Sequence, residues 1–145
     1  MNDQEDEELK KLRLKKMEQI KNRIQNPQQK STMGVMELNS DNFYEVISKA
    51  ELSIVDLWAD WCMPCKMMAP IFKKLSNSPE YSNKILFCSL NADLNQQILY
   101  KYGVMGIPTF LIFSKGNLID KVVGAVGEAA LRNVLNSILQ KFKSK

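Results

Sequence analysis

Trp58-Ala59-Asp60-Trp61-Cys62-Met63-Pro64-Cys65-Lys66 is the stretch on which the reading of this chain turns. It follows a largely apolar run, residues 52–57, and precedes a helix-like segment. Two cysteines therefore stand two residues apart where a strand gives way to a helix. In an intracellular-looking chain, that placement points to a dithiol/disulfide redox site. At the first turn of a helix the two sulfurs can approach closely enough to bond. Cys62, nearer the helix start, would face unpaired backbone N–H groups and the positive end of the helix dipole. Both favour thiolate over thiol, and the thiolate is the nucleophile.

Composition narrows the alternatives. The chain has 145 residues, enough for one domain and an appendage, and 45% of them are hydrophobic, enough for a real core. A formal charge of +4 is too small to argue for nucleic acid. There are no histidines, so His-based catalysis and His-containing metal sites are excluded. Three cysteines fall short of a secreted disulfide scaffold and of a four-cysteine zinc site. The acidic start, Asp3-Gln4-Glu5-Asp6-Glu7-Glu8, has no apolar core of a signal peptide. No apolar run approaches the roughly 18 residues of a membrane span. The expectation is a cytosolic, cytoplasmic protein.

Residues 1–32 differ from the rest. The acidic block is followed by Lys10, Lys11, Arg13, Lys15, Lys16, Lys21, Arg23 and Lys30. Acids before bases suit a helix dipole. Leu9, Leu12, Met17, Ile20 and Ile24 give only a thin apolar stripe, and Pro27 ends it. This extension is expected to be a marginal, exposed helix and a linker. It is either a solvated tail or an arm that brings a partner or nucleic acid. It contains no aromatic residue for base stacking.

The compact domain is expected over 33–145. A short strand is predicted at 35–38, then a helix over 42–49 with caps in Asn39-Ser40-Asp41. Residues 54–58 form a near-continuous apolar run, as in a strand buried on both faces. The helix that begins at the cysteines should reach residue 76, kinked at Pro70. A second buried strand follows at 85–90. A short helix over 95–102 is ended by Gly103. Strands at 109–113 and 118–123 are joined by the turn Lys115-Gly116-Asn117. Residues 128–142 form an amphipathic helix. The order β-α-β-α-β-α-β-β-α predicts an α/β fold: a mixed five-stranded sheet with helices on both faces.

Several separate motifs of the chain resemble those of a known family. Val55-Asp56-Leu57-Trp58-Ala59-Asp60-Trp61-Cys62-Met63-Pro64-Cys65-Lys66, Pro70, Tyr102-Gly103-Val104, Gly106-Ile107-Pro108-Thr109 and Val123-Gly124-Ala125 together are similar to the thioredoxin family. The likeness covers roughly residues 33–140, and its motifs fall in order and spacing. The pattern departs at three places. Met63 stands where most members have Gly, Ser89 where well-known bacterial members have a buried Lys, and residues 1–32 have no counterpart.

The resemblance implies a thioredoxin fold and reduction of protein disulfides by dithiol–disulfide exchange, without a cofactor. Cys62 would attack, and Cys65, one turn further in and less exposed, would resolve the mixed disulfide. Asp56, a carboxylate in an apolar strand, should have a raised pKa. By resemblance it is the base for the Cys65 proton. Without the Lys, it should titrate higher than in members that have it. Pro108 would follow a cis peptide bond beside the cysteines and leave the Ile107 backbone free for an extended substrate. Trp61, Met63, Met105, Ile107, Gly124 and Ala125 would form a shallow apolar rim for protein partners. Either methionine is equally readable as ordinary surface. Trp58 would pack beneath the site. Lys66 is either a thiolate partner or a solvated lysine. Cys88, among apolar neighbours, reads as a core residue. The implied partners are disulfide-containing proteins and a thioredoxin reductase or equivalent electron donor.

Two other readings remain at this point. One is a disulfide oxidase or isomerase; the absence of His between the cysteines favours the reducing side. The other is a binding module targeted by its N-terminal arm.

Overall fold

The computed structural model describes residues 34–143. The expectations for residues 1–32 lie outside them. The elements are β1 (Met36–Leu38), α1 (Phe43–Lys49), β2 (Leu52–Trp58), α2 (Met63–Ser76), β3 (Leu86–Asn91), α3 (Gln96–Lys101), β4 (Thr109–Ser114), β5 (Asn117–Val123) and α4 (Glu128–Lys143). Every predicted element forms, with ends shifted by one or two residues. Pro70 lies inside α2, which runs through it to Ser76 as a single helix, as expected.

The strands lie in one sheet in the order β1-β3-β2-β4-β5. β3 runs parallel to both β1 and β2, whereas β4 is antiparallel to β2 and to β5. The central strands β2, β3 and β4 are buried almost throughout, so each reads as an apolar run rather than an alternation. β5, at the edge, is mostly exposed. The β4–β5 turn is Lys115-Gly116, with φ of 49° and 86°. Successive left-handed residues match the twist of a two-residue hairpin. A side chain at Gly116 would also come within 3.2 Å of the Ser48 Cα.

Strand alternation divides the core into two layers. Val55, Leu57, Cys88, Leu90, Leu111 and Phe113 face α1 and α3, around Phe43, Ile47 and Ile98. Ile54, Phe87, Phe110 and Ile112 face α2 and α4, around Met68, Phe72, Leu131 and Leu135. Edge-to-face ring pairs join the layers internally, Phe43 with Phe113 at 5.7 Å and Phe72 with Phe87 at 5.2 Å. Glu128 anchors the start of α4 by accepting from Lys74 of α2 and from Arg132, one turn on.

Register then fixes where the chemistry collects. Trp58 lies opposite Asn91, Leu57 opposite Thr109, and Thr109 opposite Val123. The segments leaving β2 and β3, entering β4 and leaving β5 thus meet at one end of the sheet. They are the cysteine stretch, the 92–95 turn, Ile107-Pro108 and Gly124-Ala125. This is the end at which open α/β sheets place their ligands.

Candidate active site

Cys62 is the N-cap residue of α2, and Cys65 lies in its first turn. Their sulfurs are joined in a disulfide, with Cα atoms 5.2 Å apart. The Cys65 backbone N–H donates to Cys62 Sγ at 3.2 Å, so sulfur takes the place of the usual capping oxygen. Pro64, without an N–H, sits in the first turn, where helix N–H groups have no helical partner in any case. Cys62 carries the capping contact and the positive dipole end, both of which favour a thiolate there after reduction.

Burial differs from the expectation in one respect. Cys62 and Cys65 are 2% and 3% exposed, so the disulfide form does not leave Cys62 as the open sulfur. The reason is the cover from Ala59, half-buried Trp58 and Ile107, which pack around the pair. Trp58 takes the packing place expected of it. The Ile107 carbonyl oxygen lies 3.7 Å from Cys62 Sγ, and the S–H of reduced Cys62 would donate to it.

The Ile107–Pro108 peptide bond is cis. The Pro108 carbonyl accepts from the Gly124 N–H at 2.8 Å, which ties the 107–108 and 124–125 segments together. Among the described residues the Ile107 N–H has no hydrogen-bond partner. Gly124 has φ of 95° and open space where a side chain would stand. Ala125 is exposed beside it.

Asp56 lies on β2, 4% exposed, on the face turned toward α2. Its Oδ1 has no hydrogen-bond partner among the described residues. Burial alone pushes its pKa up to about 7, because the low-dielectric interior disfavours the carboxylate. Its register partner on β3 is half-buried Ser89, which brings no positive charge. Cys88, one step along β3, is fully buried on the other face, and burial pushes its thiol far up. It is the core residue expected.

Of the six residues expected to form a rim, Trp61, Met105 and Ile107 line one groove. Trp61 is 69% exposed, Met63 65% and Met105 fully exposed, while Ile107 is half-buried and packs against the cysteine pair. Met67, one turn beyond Met63, is also exposed and was not among the expected residues. Nor was Asp93, whose carboxylate accepts from the Trp61 indole N–H at 3.0 Å. The turn bearing Asp93 is held by the Ala92 N–H donating to the Trp58 carbonyl at 2.7 Å. The position of Asp93 just past the end of β3, beside the cysteine-bearing end of β2, was the available signal. A groove of about 680 Å³ runs from Trp61 along Asp93, Tyr100, Met105 and Ile107. Lys66 is exposed on α2. Among the described residues no group of three metal-ligating side chains occurs.

Residues 34–137 match the Thioredoxin family model. The chain belongs to the thioredoxin family. It is 38% identical over 103 residues to a thioredoxin of Buchnera aphidicola, covering 70% of this chain and 94% of that one. It is 39% identical over 113 residues to the M-type chloroplastic thioredoxin of Brassica napus, covering 77% of this chain and 63% of the relative. The crystal structure of a Malassezia sympodialis thioredoxin superposes with a TM-score of 0.66 at 35% identity, over 72% of this chain and 90% of that one. With its Cys62–Cys65 pair at the family's spacing, this thioredoxin-family chain is a thiol–disulfide oxidoreductase. Among the described residues no helix is long and apolar enough to cross a membrane.

Proposed function

We propose that Cys62 attacks a disulfide in a partner protein, that Cys65 resolves the resulting mixed disulfide, and that Asp56 serves as the base for the Cys65 proton. The observation that carries this reading is the Cys62–Cys65 disulfide at the start of α2, with a solitary buried carboxylate on the sheet face below. In the first step the Cys62 thiolate bonds to one substrate sulfur, and the other leaves as a thiolate. In the second, Cys65 gives its proton to Asp56 and attacks Cys62 Sγ, which expels the reduced substrate. The Cys62–Cys65 disulfide is left and takes two electrons and two protons from a reductase. A base that titrates near 7 is half-ionised at neutral pH, able both to accept and to release a proton.

Pro108 and the unpaired Ile107 N–H suit an extended substrate strand laid beside Cys62. Trp61, Met63, Met105, Ile107, Gly124 and Ala125 supply its apolar contact. Partners are then disulfide-containing proteins and a thioredoxin reductase or equivalent donor, in the cytoplasm, where thiols are kept reduced.

Insulin reduction by wild type and Cys62→Ser tests the assignment. Loss of turnover in Cys62→Ser is expected, and equal activity of the two proteins refutes Cys62 as the nucleophile.

A further inference from the structure

The rim carries chemistry that disulfide exchange does not use. Five methionines fall among the described residues. Met36 and Met68 are buried, at 9% and 1% exposure. Met63, Met67 and Met105 are 65%, 67% and 100% exposed. Met63 stands between Cys62 and Cys65, and Met67 follows it four residues on along the same side of α2. Met105 lines the groove with Trp61 and Ile107, the latter with its carbonyl 3.7 Å from Cys62 Sγ.

We propose that Met63, Met67 and Met105 form an oxidation site, at which a peroxide-class oxidant converts the thioethers to sulfoxides and weakens substrate docking. In the disulfide form Cys62 and Cys65 have no thiol to oxidise, and Cys88 is wholly buried. The accessible sulfurs of the described residues are then these three thioethers. In each step the thioether sulfur gives two electrons to the peroxide. An S–O bond forms, the O–O bond breaks, and the second oxygen leaves as water. The sulfoxide is polar and is reversed by methionine sulfoxide reductases. Its oxygen must be stripped of water when an apolar partner surface closes over it. The cysteine pair is unaltered, so binding suffers and the exchange step does not.

This inference rests on the reading of the rim as the substrate contact. The test is to treat the full-length disulfide protein with hydrogen peroxide, remove the oxidant and map added oxygen by peptide mass spectrometry. KM and kcat for insulin are then measured. Met63, Met67 and Met105 should gain oxygen before Met36 and Met68. KM should rise about 5- to 10-fold at unchanged kcat, the pattern of lost uniform binding. Treatment with methionine sulfoxide reductases should restore it. The Met63→Leu/Met67→Leu/Met105→Leu protein, compared with its own untreated sample, should keep its KM. An equal rise in that protein, or a wild-type KM that does not move, overturns the proposal. Untreated Met63→Gln/Met67→Gln/Met105→Gln separates the two ideas. If its KM is raised while oxidation leaves wild type unchanged, the oxidation site fails and the rim reading stands. If its KM is that of untreated wild type, the rim reading itself fails.

Discussion

The two faces of the central sheet each bury an ionisable side chain carried by a central strand, and they put the same physics to different ends. Cys88 on β3 faces α1 and α3, amid aliphatic and aromatic side chains. Asp56 on β2, one register step away, faces α2, the helix that carries the cysteine pair. Desolvation holds a proton on both. On the Cys88 face the shift moves the thiol out of any useful range, and an inert core filler results. On the Asp56 face the starting pKa is lower, so the same penalty brings the carboxyl up to about 7, where a proton can be exchanged. Burial thus marks a functional group only when the shifted value lands near the working pH and a reacting group shares the face.

The comparison breaks first on stability. Asp56 binds its proton more tightly in the folded chain than in the unfolded one. Below about pH 4 both states are protonated; between about 4 and 7 only the native state is. Stability is therefore lost as pH rises through that window, and above it the full penalty of a buried charge remains. Asp56→Asn should raise the unfolding free energy by up to about 4 kcal/mol at pH 8.5, shrinking toward zero near pH 4. Urea denaturation at the two pH values checks this; a pH-independent difference would mean that Asp56 is not the titrating group. Insulin reduction by the same variant should fall up to about 100-fold at pH 6.5 and recover as pH rises and Cys65 ionises unaided.

The other face should respond differently. Cys88→Ser puts a hydroxyl among apolar neighbours and should destabilise by about 2 kcal/mol, with insulin reduction unchanged. A loss of activity in a fully folded Cys88→Ser protein would erase the distinction between the faces. The smallest effect sharpens the account of Asp56. Ser89→Lys places a cation at its register partner and should lower its pKa by about 1 unit, followed by NMR titration. No change would show that Ser89 does not face the carboxyl.

Much of this was legible in the sequence. The apolar runs of β2, β3 and β4, the turn at Lys115-Gly116 and the helical period of 128–142 give the element order. Asp56 stood out because a carboxylate in such a run needs a reason. What was not legible came from long-range packing. The Trp61–Asp93 bond spans 32 positions and depends on the β2–β3 register. The near-equal burial of Cys62 and Cys65 follows from Ile107, which arrives from a separate loop. The exposure of Met67 depends on which side of α2 packs against the sheet.

The order of attack is the central claim, and trapping tests it most directly. Cys62→Ser and Cys65→Ser are each reduced, mixed with a disulfide-bonded protein such as insulin, and resolved on non-reducing gels. The account predicts that Cys65→Ser accumulates a covalent mixed disulfide through Cys62, whereas Cys62→Ser accumulates none. A stable adduct with Cys62→Ser, and none with Cys65→Ser, would contradict it.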